Sequence, residues 1–313
     1  MTLAWITGAH GFIGRNLSRS LAINNYHVAG LGHGKWNKPE EWGLSYWLNG
    51  EISLNNLNLM QQRTGFPDVI FHLAGGSSVG AAIANPREDF TRTVISTAEL
   101  LEWLKQHSPQ THLLSVSSAA VYGSRYHNSI TEDALTSPFS PYGTHKLMME
   151  ELCRSYAFNF DIKVVLPRLF SVYGVGLKKQ LLWDLCSKIA MDGSAELGGT
   201  GEELRDWIDV RDIVKSLEQL SHHASTTAPI VNLASGMATS VHNIATLVAE
   251  HWIDSNSSKP LVTFSGQSRP GDPFSLVADI TRMNAYGIKN QSNLAQSIAE
   301  YVSWFRSNIG VTT

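Results

Sequence analysis

Cysteine is scarce in this chain of 313 residues, and long apolar runs and an excess of basic residues are missing. Cys153 and Cys186 stand alone without a CxxC pattern, so both are predicted to be reduced thiols rather than parts of a disulfide scaffold. No apolar stretch approaches the roughly 20 residues of a bilayer-spanning helix, so no membrane contact is expected. The net charge of −3 gives no basic face for a nucleic acid partner.

Targeting and metal-binding patterns are also missing. The first predicted strand begins at residue 3, so no secretory leader is expected and the protein is predicted to be cytoplasmic. His222 and His223 are adjacent but lack further ligands at a spacing typical of a metal site, so no metal is predicted.

Short apolar runs alternate with helix-like segments as far as Gly174. This alternation is typical of a parallel sheet covered on both faces, so the predicted class is α/β with a doubly wound parallel sheet. Predicted strands cover residues 3–7, 27–31, 44–48, 68–73, 112–117, 162–169 and 230–233, and the clearest helices cover 12–24, 89–107 and 142–158. Residues 171–205 and 235–313 are predicted to form a smaller mixed α/β lobe, since the strand at 230–233 is expected to return to the sheet.

Gly8, Gly11 and Gly14 follow the first predicted strand and open the first helix. Gly8 permits a tight turn, Gly11 lets the backbone approach a pyrophosphate, and Gly14 lets the helix pack close to the strand. Such a trio alone is a weak signal, but its position, continued by Phe12 and Ile13, favours a dinucleotide site at the helix N-terminus. Residues 1–170, with a returning segment near 206–234, are therefore predicted to form a Rossmann dinucleotide-binding domain.

The end of the second strand bears on the choice between NAD and NADP. An acidic residue there binds the ribose 2′-hydroxyl, whereas a basic neighbourhood accommodates a 2′-phosphate. The segment GLGHGK at 30–35 has no carboxylate, while His33 and Lys35 are basic. NADP(H) is therefore the favoured cofactor, with NAD(H) as the alternative.

Ser118, Tyr142 and Lys146 form the candidate catalytic group. Tyr142 and Lys146 are four residues apart and share a helix face, so the ammonium can lower the pKa of the phenol. Tyr142 can then act as the base when an alcohol is oxidised, or as the acid when a ketone is reduced. Ser118, at a strand end, can hydrogen-bond the reacting oxygen, and Lys146 can also bond the nicotinamide ribose.

At this point the chain resembles the extended short-chain dehydrogenase/reductases, in their NAD(P)-dependent nucleotide-sugar epimerase/dehydratase family. The resemblance covers nearly the whole length. The order and spacing of several motifs carry it, namely TGAHGFIG at 7–14, HLAG at 72–75, SSAAVYG at 117–123, YGTHK at 142–146, PRLFSVYG at 167–174, RDWIDVRDI at 205–213 and RPGD at 269–272.

The resemblance implies further roles in binding. It places Glu51 and Ile52 at the adenine. It implies that the cofactor is also contacted by Leu73, Ala74, Gly75, Tyr142, Lys146, Pro167 and Arg168. Arg205 and Arg269 match arginines that grip the nucleotide diphosphate, a role suited to the forked guanidinium group. Ser171 falls at the position of a sugar-binding asparagine. The family resemblance also implies a homodimer formed through the helices near 89–107 and 142–158.

Departures from the family patterns narrow the chemistry. Dehydratases of the family carry an acidic pair after the serine, and decarboxylating relatives need an acid at the second position, where this chain has Ala119 and Ala120. Methyl groups transfer no protons, so dehydration and decarboxylation are excluded. Thr93 and Ser171 replace two asparagines that are frequent in 4-epimerases, which weakens the analogy to UDP-galactose 4-epimerase.

Three functions remain on the sequence. The favoured one is an NAD(P)H-dependent reductase of an NDP-4-keto-6-deoxyhexose, because no acidic residue follows the second strand. The alternative is an NDP-hexose 4-epimerase with tightly bound NAD, which the segment SAAVYG at 118–123 favours. A non-enzymatic cofactor-sensing or RNA-associated protein on the same fold is the third, although Tyr142 and Lys146 are both retained.

Overall fold

A computed structural model describes residues 2–253, 259–267 and 273–309 of the chain. Within these ranges the strands are β1 (Leu3–Thr7), β2 (His27–Gly32), β3 (Tyr46–Asn49), β4 (Val69–His72), β5 (His112–Ser115), β6 (Ser117–Ser118), β7 (Val164–Leu169), β8 (Ser171–Tyr173), β9 (Ser194–Leu197), β10 (Leu204–Asp209), β11 (Ile230–Leu233), β12 (Ala238–Ser240), β13 (Leu261–Phe264) and β14 (Ser275–Leu276).

The helices of the same ranges are α1 (Phe12–Ile23), α2 (Leu54–Thr64), α3 (Val79–Ala84), α4 (Pro86–Phe90), α5 (Ser96–His107), α6 (Pro141–Phe160), α7 (Gln180–Asp192), α8 (Val210–Ser221), α9 (Val241–Trp252), α10 (Thr281–Ala285) and α11 (Leu294–Ile309). Two short 3₁₀ helices cover Pro39–Trp42 and Ala119–Tyr122, and a π-helical turn covers Thr91–Ile95. None of the helices in the described part of the chain is both long and apolar enough to cross a membrane.

The main sheet confirms the predicted doubly wound α/β class. Its strand order is β11-β7-β5-β4-β1-β2-β3, with β6 paired to β7, and every pairing is parallel. The chain runs outward from β1 to one edge and then returns to β4 to build the other half. The carboxyl ends of β1 and β4 therefore border a crevice, which is where ligands bind in sheets of this kind.

Both faces of the sheet are buried, as its apolar strands predict. In β1, Ala4 and Ile6 pack into the core beneath α1 and α8, while Leu3 and Trp5 pack on the opposite face with α2 and α5. Adjacent residues of a strand point to opposite faces, so a strand covered on both sides must be apolar throughout. The core thus holds β1 and its neighbours rigidly under the crevice.

The second lobe is built around α7, α9 and α11. Their buried faces share one apolar cluster that includes Leu185, Ile244 and Tyr301. A small mixed sheet has the order β12-β10-β14, with β8 also paired to β10, and β9 pairs with β13. Strand β11 then returns to the main sheet beside β7, as expected from the sequence. The exact limits of the two domains stay a prediction.

The helix expected at 89–107 is interrupted. Helix α4 ends at Phe90, the π turn follows, and α5 begins at Ser96. Hydroxyl groups bond back to carbonyls one turn earlier along this stretch, from Thr91 to Arg87 and from Thr97 to Thr93. Such side-chain bonds compete with the regular backbone ladder and bend helices. Apolar periodicity alone does not reveal one additional residue in a turn.

Candidate active site

The turn between β1 and α1 requires its glycines. Gly8 adopts φ 72°, and a Cβ on it would lie 2.9 Å from the Ala74 amide nitrogen. A Cβ on Gly14 would lie 2.4 Å from Gly8 O, because the helix packs directly on the turn. Both distances are too short for any side chain, so this close packing depends on glycine.

Gly11 occupies the N-cap position of α1, and no side chain caps the amides there. The start of a helix carries unsatisfied N–H groups and a partial positive charge, which together bind phosphate. Phe12 and Ile13 follow in the first turn and line the adjoining cavity. The turn therefore has the shape and polarity that a dinucleotide pyrophosphate needs.

One large cavity of about 1560 Å³ runs from this turn to the second lobe. It brings together most of the predicted binding and catalytic residues, namely Gly8, Gly11, Phe12, Ile13, Gly14, His33, Glu51, Ile52, Leu73, Ala74, Gly75, Ser118, Tyr142, Lys146, Ser171 and Arg205. A cavity of this size has room for a dinucleotide and a second nucleotide-sized ligand end to end.

Ser118 and Tyr142 meet in the middle of the cavity. Ser118 ends β6, and its Oγ accepts a hydrogen bond of 3.2 Å from the Ala120 amide. Helix α6 begins against this corner and is capped by Ser140, whose Oγ accepts from the Gly143 amide at 3.2 Å. Burial raises the pKa of Tyr142, and its hydrogen bond with Ser118 opposes that rise.

Lys146 lies one turn further along α6. Its Nζ donates a hydrogen bond of 2.8 Å to Val116 O, and only 4% of the residue is exposed. Burial lowers the pKa of Lys146 to about 8, while the negative charges of Asp89 and Glu150 oppose the shift. A buried ammonium beside a phenol stabilises the phenolate, so the pair is arranged for proton transfer.

The structure corrects three expected positions in the cofactor site. Pro167 and Arg168 are buried in β7 and do not line the cavity. The Arg168 guanidinium instead forms a buried ion pair with Glu150, with Nη2 and Oε2 2.7 Å apart, and covers the Tyr122 ring. A guanidinium held by a buried carboxylate is not available to a cofactor. Lys35 is exposed and also lies outside the cavity lining.

The two arginines predicted for the diphosphate differ in what can be described. Arg205 lines the cavity from β10, and its Nη1 donates to the carbonyl of Leu204 at 2.8 Å and that of Phe274 at 3.4 Å. Arg269 lies outside the described residues. The neighbouring Asp206 points away from the cavity arginine and accepts hydrogen bonds from the amides of Ser235 and Gly236.

A chain of buried polar groups under the cavity escaped prediction. His72 Nδ1 lies 2.7 Å from Thr7 Oγ1, and its Nε2 lies 2.9 Å from Thr97 Oγ1. Burial lowers the pKa of His72 to about 3, with a smaller effect of the Lys146 charge, so the ring is neutral. Thr93 Oγ1 accepts from the Gly76 amide at 2.8 Å and holds the turn that follows β4. In the sequence, the only indication of these contacts was a histidine and threonines at the ends of predicted strands and helices.

Comparison with known proteins agrees with this geometry. Residues 4–234 match the model of the NAD dependent epimerase/dehydratase family. A putative UDP-glucose 4-epimerase of Methanocaldococcus jannaschii is 25% identical, over 97% of this chain and 98% of the relative. The solved structure of MoeE5 in complex with UDP-glucuronic acid and NAD is 27% identical with a TM-score of 0.85, covering 97% and 99% of the two chains. A UDP-glucuronic acid 4-epimerase from Bacillus cereus, solved with UDP-glucuronic acid and NAD, is 25% identical with a TM-score of 0.84, covering 98% and 99%.

Proposed function

Since the chain belongs to the NAD dependent epimerase/dehydratase family, we propose that it is a 4-epimerase of UDP-sugars that works with a retained NAD. It is an enzyme of this family, so the non-enzymatic alternative is set aside. The observation that carries the proposal is the single cavity that joins the glycine turn to Ser118, Tyr142 and Lys146 and continues to Arg205. Relatives that cover nearly the whole chain are described as UDP-sugar 4-epimerases.

The expected preference for a reductase using NADP(H) finds no support. The full-length structures at 25% and 27% identity hold NAD together with a UDP-sugar. The missing carboxylate after β2 was the basis of that expectation. His33 lines the cavity there, whereas Lys35 does not, so only one of the two basic side chains is placed for a 2′-phosphate.

The catalytic residues have distinct parts in the proposed reaction. Tyr142 takes the proton of the sugar 4-hydroxyl, and Ser118 holds the same oxygen by a hydrogen bond. NAD held by the glycine turn and Lys146 would supply reversible hydride transfer at C4 of the sugar, with no net oxidation. Lys146 keeps the phenol in its proton-accepting form and bonds the nicotinamide ribose. The proton then returns from Tyr142 to the sugar oxygen, so no net proton is consumed.

Ala119 and Ala120 limit the outcome to hydride chemistry. Both line the cavity directly after Ser118, and Ala119 is only 1% exposed. Neither methyl group can protonate a leaving hydroxyl or remove a proton from carbon. Positions 119 and 120 therefore supply neither the acid nor the base that elimination would need, which supports epimerisation over dehydration.

The substrate is proposed to extend into the second lobe. Arg205 would bind the diphosphate, because a guanidinium pairs well with phosphate oxygens. Ser171 also lines the cavity, on the strand paired with β10, and would bind the sugar. We also propose a homodimer, and exposed apolar side chains on the expected helix at 142–158 support it, with Met148 45% and Phe158 84% exposed.

Two assays test this function. The purified protein is denatured and the released dinucleotide identified by mass spectrometry, and the protein is incubated with UDP-glucose and with UDP-glucuronic acid while products are followed by NMR. Near-stoichiometric NAD and formation of the C4 epimer are expected. An empty site together with NADPH oxidation in the presence of an NDP-4-keto-6-deoxyhexose would instead establish the reductase.

A further inference from the structure

A buried acid and an imidazole stand beside the catalytic residues. His145 lies between Tyr142 and Lys146 on α6, and its Nδ1 is 2.6 Å from Asp89 Oδ2 at the end of α4. Their side chains are 12% and 6% exposed. A carboxylate can only accept hydrogen bonds, so Nδ1 carries the proton and the orientation of the ring is fixed.

Asp89 also touches the turn that forms the cofactor wall. A Cβ on Gly76 would lie 1.8 Å from Asp89 Oδ1, so the carboxylate packs directly against this glycine. The neighbouring Gly75 approaches Lys146, since its Cβ would lie 3.3 Å from Nζ. Gly75 and Gly76 both line the cavity. Asp89 and Lys146 therefore flank the same two-residue turn.

Asp89 lies in α4, two residues before the π turn. Thr93, inside the π turn, holds the Gly76 amide, and Asp89 lies four residues earlier on the same side. Single π turns occur often at functional sites, because they redirect side chains without ending a helix. The segment around the interruption between α4 and α5 thus presents two groups to the turn at Gly75 and Gly76. These are the Thr93 hydroxyl, as a hydrogen-bond acceptor, and the Asp89 negative charge.

We propose that Asp89 and His145 are positioning residues for Tyr142 and Lys146. The buried carboxylate of Asp89 anchors the first turns of α6 through His145. It also supplies the negative charge that balances the Lys146 ammonium. This inference rests on the proposed epimerase function. The charge of Asp89 raises the pKa of Lys146 against the effect of burial, and it also raises the pKa of Tyr142.

The effect of Asp89 on Tyr142 and Lys146 is distinct from that of the other charged groups around them. Helix α6 adds Glu150, which is bound to Arg168. On the side of α4 and the π turn, Arg92 forms an ion pair with Glu88 at the surface, and Arg87 is exposed. Solvent screens these outer charges, whereas Asp89 acts through the protein interior.

The direction in which the two pKa values change on replacement of Asp89 follows from its negative charge. Replacing Asp89 by Asn removes a negative charge, so both the tyrosine and the lysine lose their protons at lower pH. The active form needs an ionised or easily ionised Tyr142 and a protonated Lys146. Both limbs of the profile of kcat against pH are then expected to move to lower pH, on the order of one pH unit. A side chain with only a structural role would lower the profile without moving it.

The test compares D89N, H145A and H145N with E151Q, which removes an exposed carboxylate paired with Arg154 on the same helix. D89N is expected to shift the pH profile, and E151Q is expected to leave it unchanged. H145A is expected to lower kcat by about ten- to a hundredfold with little change in KM, since a small misplacement of a catalytic group can cost about 10²-fold. H145N is expected to recover most of that loss, because its amide can donate from the place of Nδ1.

A measurement made without substrate distinguishes failure of the positioning role from failure of the proposed epimerase function. The ionisation of Tyr142 is followed by tyrosinate absorbance, as the difference between each protein and its Y142F counterpart. If the ionisation of Tyr142 shifts to lower pH in D89N while the unchanged protein shows no epimerisation, the positioning role of Asp89 and His145 is supported and the proposed epimerase function is rejected. An unmoved ionisation in D89N, or equal losses in H145A and H145N, would overturn the positioning role.

Discussion

Lys146 Nζ donates a hydrogen bond of 2.8 Å to Val116 O, the carbonyl between β5 and β6. Ser118 lies two residues beyond that carbonyl, and Tyr142 lies one turn before the lysine. This one bond therefore ties the catalytic helix to the strand end that carries the serine. It fixes the relative positions of all three groups before any substrate binds, which is the preorganisation that the proposed proton transfer at a sugar hydroxyl requires.

Burial of Lys146 predicts a stability that changes with pH in the cofactor-free protein. Its pKa falls from 10.5 to about 8, so between these values the unfolded chain binds more protons than the folded one. The free energy of unfolding then rises with pH across that window, by up to about 3 kcal/mol. Urea unfolding of the unchanged protein and of K146M from pH 7 to 10 measures the difference. Parallel curves for the two proteins would contradict the buried charge.

Tyr142→Phe is expected to remove most turnover while leaving the cofactor in place. The variant lacks the phenol oxygen that is the proposed proton acceptor, whereas the ring and the glycine turn are unchanged. General acid–base groups contribute about 10² to 10⁴ in rate, so kcat should fall within that range. NMR of the UDP-sugar products gives the rate, and mass spectrometry of the denatured protein gives the NAD content. Full activity in the variant would refute the assignment of Tyr142.

The sequence predicts those parts of the site that local spacing controls. Gly8 and Gly14 follow a strand at fixed intervals, and the interval of four residues places Tyr142 and Lys146 on one helix face. The Asp89–His145 contact joins α4 to α6 across 56 positions of the chain, and no periodic pattern contains that information. Arg168 was misplaced because its guanidinium is bound by the buried Glu150 carboxylate, and no strand pattern predicts that pair. The use of the Arg168 side chain in the core becomes visible only from the position of Glu150 in the structure.

Glu150→Gln is expected to destabilise the protein strongly. The Glu150 carboxylate accepts from Arg168 Nε at 2.9 Å and from Nη2 at 2.7 Å, and both residues are almost fully buried. Removing one partner leaves an uncompensated buried charge, which costs about 3 to 5 kcal/mol. The free energy of unfolding in urea measures this loss. Glu151→Gln is the matched control, because its ion pair with Arg154 is exposed and contributes about 0.5 kcal/mol or less.

Gly14→Ala is expected to abolish retention of the dinucleotide. The added methyl group would lie 2.4 Å from Gly8 O and 2.7 Å from Ala9 Cα, so the helix must move away from the phosphate turn. That movement carries the N-terminus of α1 away from the pyrophosphate it would bind. Dinucleotide content per chain, measured after denaturation, reports the effect directly. Gly80→Ala provides the control, since nothing lies within 4 Å of its added Cβ, and its content should equal that of the unchanged protein. Equal dinucleotide content in both variants would show that the turn does not hold the cofactor.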